Sequence, residues 1–247
     1  MKGLTRKTKI ALSVLIASAG AIASYGRFAD SRNLSRHLDR KELQTDSSEL
    51  KGDEISLAFV KKYSREIASS SERYGLFPEV VAAIIMAQNH DRPRYEDWKD
   101  EIASRLNFDN PSLGTGQVKV KTAGNLDKMF HGVERTGEKL EERLETPKRN
   151  IGYVAMAYRD LLDEQDRLPS MNIDSALDNP HLLAVTASEY QRGPSKNPIK
   201  DANPNSFGLM ALAYLATVDF NSIFSNARIT ENHRRLYWEY LAKHITK

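Results

Sequence analysis

Apolar residues recur along this chain at the spacing of one helical turn. From Glu54 the positions Ile55, Phe59, Tyr63 and Ile67 repeat every four residues until Tyr74-Gly75 interrupts them, which turns one helix face toward a core. Pro78 opens a second helix, where its missing N–H is no loss because the first N–H groups of a helix have no partner within it. On that helix Val80, Ile84 and Gln88 stand one turn apart, with Val81 and Ile85 beside them, so an amide ends an apolar stripe. The period returns in Tyr95, Trp98, Ile102 and Leu106 after Pro93; in Ile151, Val154, Tyr158, Leu161 and Leu162; in Phe207, Met210, Ala211, Tyr214, Leu215 and Val218; and in Tyr237, Tyr240, Leu241 and Ile245. Alternation with period two is confined to Gln117 to Lys121. The pattern predicts a mostly α fold with at most a minimal β element.

The first 53 residues break this pattern. Lys2, Arg6, Lys7 and Lys9 precede an uncharged, mostly apolar run from Ile10 to Ile22, and Ala21-Ile22-Ala23 offers small residues at the spacing a signal peptidase accepts. Residues 1–23 therefore read as an export signal. The alternative is an uncleaved anchor over residues 10–26, a span at the lower limit for crossing a bilayer and weakened by Ser13, Ser18, Gly20 and Ser24. Residues 24–53 are rich in charge and serine and poor in large apolar side chains, the composition of a linker. Residues 54–247 are left as one folded domain, and the protein is expected outside the cytoplasmic membrane, periplasmic or extracellular.

Charge and cysteine content narrow the function. The formal net charge of +3 is more than accounted for by the four basic residues of the export segment, so a nucleic-acid partner is excluded. There are no cysteines, hence no disulfide framework and no lipid-modified cysteine. The six histidines lack His-x-x-x-His or His-Glu-x-x-His spacing, so no metal site is indicated, and no phosphate loop or dinucleotide fingerprint calls for a cofactor. Mixed charge from Glu134 to Glu145 reads as a solvated helix face.

Three pieces carry candidate chemistry. Gln88 is a side-chain amide on an apolar face, and leaving it without hydrogen-bond partners costs on the order of 1 to 3 kcal/mol. Ser112-Leu113-Gly114-Thr115-Gly116-Gln117 sets two glycines around a threonine, which permits unusual backbone angles and close approach of a ligand to the main chain. Ser188-Glu189-Tyr190-Gln191-Arg192-Gly193 ends a helix in an aromatic residue and a glycine cap. Taken singly, each piece also reads as ordinary structure: a structural amide, a tight connection, a helix end.

In this order and spacing the pieces resemble the lysozyme-like lytic transglycosylases, which cut peptidoglycan glycan strands. Tyr74-Gly75-Leu76-Phe77-Pro78 leads into the helix that in the family ends in a catalytic glutamate; Ser112 to Gln117, followed by Thr122-Ala123, matches Ser-x-Gly-x-x-Gln with its Thr-Ala pair; and Ser188 to Gly193 matches Ala-x-Tyr-Asn-x-Gly. The resemblance covers roughly Phe59 to Gly193. It implies a lysozyme-like helical domain with additional C-terminal helices, with peptidoglycan glycan as partner. It places Gln88 at the catalytic position, Ser112, Gly114 and Gln117 along the cleft, and Tyr190 closing it. The family's glutamate protonates the glycosidic oxygen and then acts as base while the sugar's C6 hydroxyl attacks, giving a 1,6-anhydro product.

Gln88 departs from that scheme, because an amide has no proton to lend. Three readings follow: a substitution that traps a complex, a non-catalytic binder of peptidoglycan, or an enzyme using another carboxylate, with Asp91, Glu96, Asp97 and Asp109 as candidates between Gln88 and the glycine loop. Thr115-Gly116 stands in place of the family's Leu-Met, and Gln191 in place of its asparagine.

Overall fold

The computed structural model describes residues 52–90, 112–163, 173–194 and 198–245. Residues 1–51 lie outside that set, with the export segment and all but the last two linker residues, as do the Trp98 stripe and the four candidate acids from Asp91 to Asp109. Among the described residues there are ten α-helices, two short 3-10 turns and one two-stranded hairpin, a mostly α architecture consistent with a lysozyme-like domain. No described helix is long and apolar enough to cross a membrane.

Helix α1 (Gly52–Lys62) begins two residues earlier than the periodicity indicates. Asp53 thus sits in the first turn of a helix, where a carboxylate suits the N-terminal end of the helix dipole, rather than in the linker. Tyr63 separates α1 from α2 (Ser64–Arg73), and its ring lies 4.6 Å from that of Phe59. Tyr74-Gly75 then turns the chain into α3 (Pro78–His90).

Helix α3 is the centre of the fold. Every residue from Pro78 to Ala87 is buried, so it is a core helix covered on all sides by α1, α2, α6 and α9 rather than a surface helix with one apolar stripe. Its small residues Ala82, Ala83 and Ala87 let those neighbours approach. Glu79 is buried in its first turn and accepts the backbone N–H of Arg228 at 2.6 Å, which ties the loop before the last helix to the core.

The hairpin pairs β1 (Ser112–Leu113) with β2 (Val118–Lys119) in antiparallel register, Ser112 opposite Lys119 and Leu113 opposite Val118. The alternation read from Gln117 to Lys121 is therefore half strand, because Val120 starts α4 (Val120–His131). The charged stretch Glu134 to Glu145 becomes α5 (Glu138–Glu145) in its second part, and Leu140 and Leu144 bury one face of it. Helix α6 (Pro147–Asp163) follows with ten buried residues.

A short α7 (Ile173–Leu177) precedes α8 (Pro180–Arg192), capped by Asn179, whose side chain accepts the Leu182 N–H. Helix α9 (Ser206–Thr217) packs on α8 at Gly208, where a Cβ would overlap the Ala184 carbonyl and the Ser188 hydroxyl. The run Ser206 to Ala211 is thus a helix contact, and Phe207 and Ala211 on it, with Leu215 one turn further along α9, are core. Helix α10 (Glu231–Ile245) closes the domain, with Tyr237 and Leu241 buried.

Candidate functional site

The last turn of α3, the hairpin and the last turn of α8 meet at one open groove of about 500 Å³. Gln88, Ser112, Gln117 and Tyr190 all line it, with Lys119 and Thr122 from the hairpin and α4 and Asp160 from α6. These residues come from segments up to about a hundred positions apart, and packing around α3 brings them together.

The loop of the hairpin is built around a residue the motif reading did not single out. Asn150, in the first turns of α6, is fully buried and uses its whole amide on the loop and its surroundings. Its Nδ2 donates to the carbonyls of Leu113 at 3.0 Å and Leu144 at 2.9 Å, and its Oδ1 accepts the Gly116 N–H at 2.7 Å and the Thr115 hydroxyl at 3.4 Å. A buried loop can satisfy its backbone only through such a partner. The glycines follow from this closeness. Gly114 has φ +74°, and a Cβ there would overlap Asn150 and the Leu144 carbonyl; at Gly116 it would overlap Val154.

Gly114 is accordingly buried behind the loop and is not one of the groove's lining residues. Its place in the motif is explained by turn geometry. Gln117 does line the groove, with φ +49°, an unfavourable angle for a residue with a side chain. Both its backbone N–H and its Nε2 donate to the Gly114 carbonyl, at 3.1 and 2.8 Å, which fixes the side chain along the loop.

Tyr190 binds the loop from the other side. Its hydroxyl donates to the Gly116 carbonyl, its ring stacks on Phe207 with planes 16° apart, and burial raises its pKa so that it stays a donor. It both lines the groove and latches the loop to α8. Gln191 beside it also lines the groove and accepts from Asn205 Nδ2 at 2.8 Å.

At the end of α3, the Gln88 Oε1 is buried with no hydrogen-bond partner among the described residues, as is the Asn89 Nδ2. His90 is held instead. Its Nδ1 lies 2.9 Å from Asp53 Oδ1, which also accepts from the Tyr214 hydroxyl at 2.6 Å. This contact joins the ends of α1, α3 and α9. Among the described residues, the groove is also lined by the carboxylates Asp160 and Glu189, the first not singled out from sequence and the second only as part of the Ser188 to Gly193 piece. Asp160 shares a helical face with Ala157 and Leu161, and that visible interruption of an apolar stripe was the available signal.

A family model described as "T6SS, Peptidoglycan muramidase Tse3, catalytic domain" matches residues 30–146, just under half of the chain. The match takes in Gln88, Ser112, Gly114 and Gln117 and ends before Asn150, Asp160 and Tyr190. Among characterised proteins, the Peptidoglycan muramidase Tse3 of Pseudomonas aeruginosa is 35% identical over a stretch covering 30% of this chain and 20% of that relative. The chain thus spans about a fifth of the length of the relative it matches. No solved structure matches it.

Proposed function

We propose that this protein acts outside the cytoplasmic membrane on peptidoglycan, holding a glycan strand in the groove between α3, the hairpin and α8. The observation that carries the proposal is the convergence of Gln88, Ser112, Gln117 and Tyr190 on that single groove. Its lining suits a sugar chain. The glutamines 88, 117 and 191 offer amides that both donate and accept, and Val118, Ala157, Leu161 and Pro194 offer apolar surface for sugar faces. The similarity to a peptidoglycan muramidase over residues 30–146 supports the same substrate. The basic, then apolar N-terminal segment supplies the route to it.

In the lytic transglycosylase scheme, the group at position 88 gives a proton to the glycosidic oxygen. Gln88 binds in that place but has nothing to transfer. Sedimentation with purified peptidoglycan tests the proposal: the native chain is expected to co-sediment, and Gln117→Ala to weaken it at least several-fold. Absence of binding by the native chain overturns the reading. Gln88→Glu is expected to release 1,6-anhydro muropeptides, detected by mass spectrometry.

The second reading is a non-catalytic peptidoglycan binder. Gln88 itself favours it, because its Oε1, which has no partner among the described residues, is an acceptor for a sugar hydroxyl or acetamido N–H. In that case the native chain binds and releases no product of any kind.

A further inference from the structure

The hairpin brings a positive charge to the groove. Lys119 lines it from β2, where the neighbouring Val118 is buried and Lys119 itself is exposed, as alternation along a strand dictates. Val118 thus anchors the strand, and Lys119 is presented to whatever enters. Across the hairpin Lys119 stands opposite Ser112, which lines the groove too. Residues opposite each other in an antiparallel pair project to the same face, with Cβ atoms about 5 Å apart. An ammonium and a hydroxyl at that spacing can donate to the two oxygens of one carboxylate.

Among the described residues no acid forms an ion pair with Lys119. Asp160 and Glu189 line the groove from α6 and α8, on elements other than the hairpin, and a carboxylate that nears them is repelled. Of the described lining residues, Lys119 is the one whose charge attracts it.

The substrate class offers such a group. Peptidoglycan and chitin share a backbone of β-linked N-acetylated sugars. Peptidoglycan differs in the lactyl ether on every second sugar, which ends in a carboxylate or, where a peptide stem is attached, leads to the carboxylates of that stem. A neutral glycan offers Lys119 only hydroxyl and amide oxygens.

Resting on the reading of the groove as a glycan site, we propose that Lys119 is its specificity-determining residue. With Ser112 beside it, Lys119 holds a carboxylate of the muramyl sugar or of its peptide stem, and so selects peptidoglycan over neutral glycans of the same backbone. A hydrogen bond between charged groups is stronger than one between neutral groups, and salt weakens it where solvent reaches it. Lys119 acts on the substituent and not on the glycosidic bond, so the selection is the same whether the groove cleaves or only binds.

The full chain is titrated by sedimentation against four insoluble glycans: intact peptidoglycan, peptidoglycan stripped of its stems by an amidase, peptidoglycan whose carboxylates have been converted to amides with carbodiimide and ammonia, and chitin. The native chain is expected to bind intact peptidoglycan about 5-fold or more tightly than the amidated form and chitin, and the advantage is expected to shrink as salt is raised. The stripped strands separate the two sources: tight binding kept there assigns the lactyl carboxylate, and tight binding lost assigns the stem. Lys119→Gln is expected to bind all four at the level of chitin, and Lys119→Arg to keep the preference. Lys128→Gln removes an exposed charge of α4 that is not among the groove's lining residues, and is expected to leave the preference unchanged. Native binding to intact peptidoglycan no tighter than to the amidated form or chitin, a preference that survives Lys119→Gln, or an equal loss in Lys128→Gln overturns the role of Lys119 and leaves the groove's glycan assignment standing. Absence of native binding to all four overturns both. The amidated substrate removes the charge from the other partner, so the test does not depend on the fold of any variant.

Discussion

Asn150 grips the main chain at Gly116, its Oδ1 accepting the glycine N–H at 2.7 Å across 34 positions of sequence. The same side chain donates to the carbonyls of Leu113 and Leu144. One amide thus joins the hairpin, the end of α5 and the start of α6, and the shape of the groove's loop depends on it.

Asn150→Leu is expected to destabilise the fold by about 2 to 4 kcal/mol, since at least three buried backbone groups lose their partner at on the order of 1 kcal/mol or more each. Urea unfolding checks this. Asn150→Asp keeps the acceptor and loses both donors, so its cost is expected to be of similar size with glycan binding also impaired.

Gly116→Ala places a Cβ onto Val154. The loop and α6 must move apart, at an expected cost of about 1 to 3 kcal/mol. Pairing it with Val154→Ala, which clears the overlapping methyl groups, is expected to recover part of that loss; thermal denaturation of the single and double variants measures the recovery.

Tyr190→Phe leaves the ring on Phe207 and removes only the donor to the Gly116 carbonyl. A loss of about 1 to 2 kcal/mol is expected. Because the latch between loop and α8 is gone, amide hydrogen exchange is expected to speed up at Thr115 to Gln117 and to stay unchanged in α3.

Glu79 makes stability depend on pH. Burial is the main cause that raises its carboxyl pKa above the ordinary 4.5, against the N–H groups of Arg228 and Ile229, which lower it. The folded state therefore holds this proton more tightly than the unfolded chain. Its contribution is fully present below the unfolded value and is lost as pH rises through the folded one. Glu79→Gln removes that titration, so the difference in unfolding free energy between native and variant is expected to shift against the native chain as pH rises from about 4.5 upward. Urea midpoints from pH 4 to 7 measure it; a constant difference contradicts the raised value.

Much of the architecture was legible in the chain. The four-residue spacing of Ile55, Phe59, Tyr63 and Ile67 found α1 and α2, although the break at Tyr63 was invisible because the apolar period continues through it. Pro78 marked the start of α3 correctly. The complete burial of α3 was not legible, since alanines count weakly in any apolar stripe and yet are what allow four helices to pack around it. The glycine loop was found from residue identity, but the closeness of Asn150 and Leu144 behind Gly114 was not legible.

By itself, the sequence determined the local terms: helix from period, turn from glycine, a core without disulfides from the lack of cysteine, and the lack of a transferable proton at residue 88. Those depend on neighbours within a turn or two. Only the tertiary structure decided which distant side chains meet. Asn150 reaches Gly116, Tyr190 reaches the same residue from 74 positions away, and Asp160 and Glu189 come to one groove with Gln88. Such contacts are fixed by how helices pack around α3, and no periodicity along the chain encodes that packing.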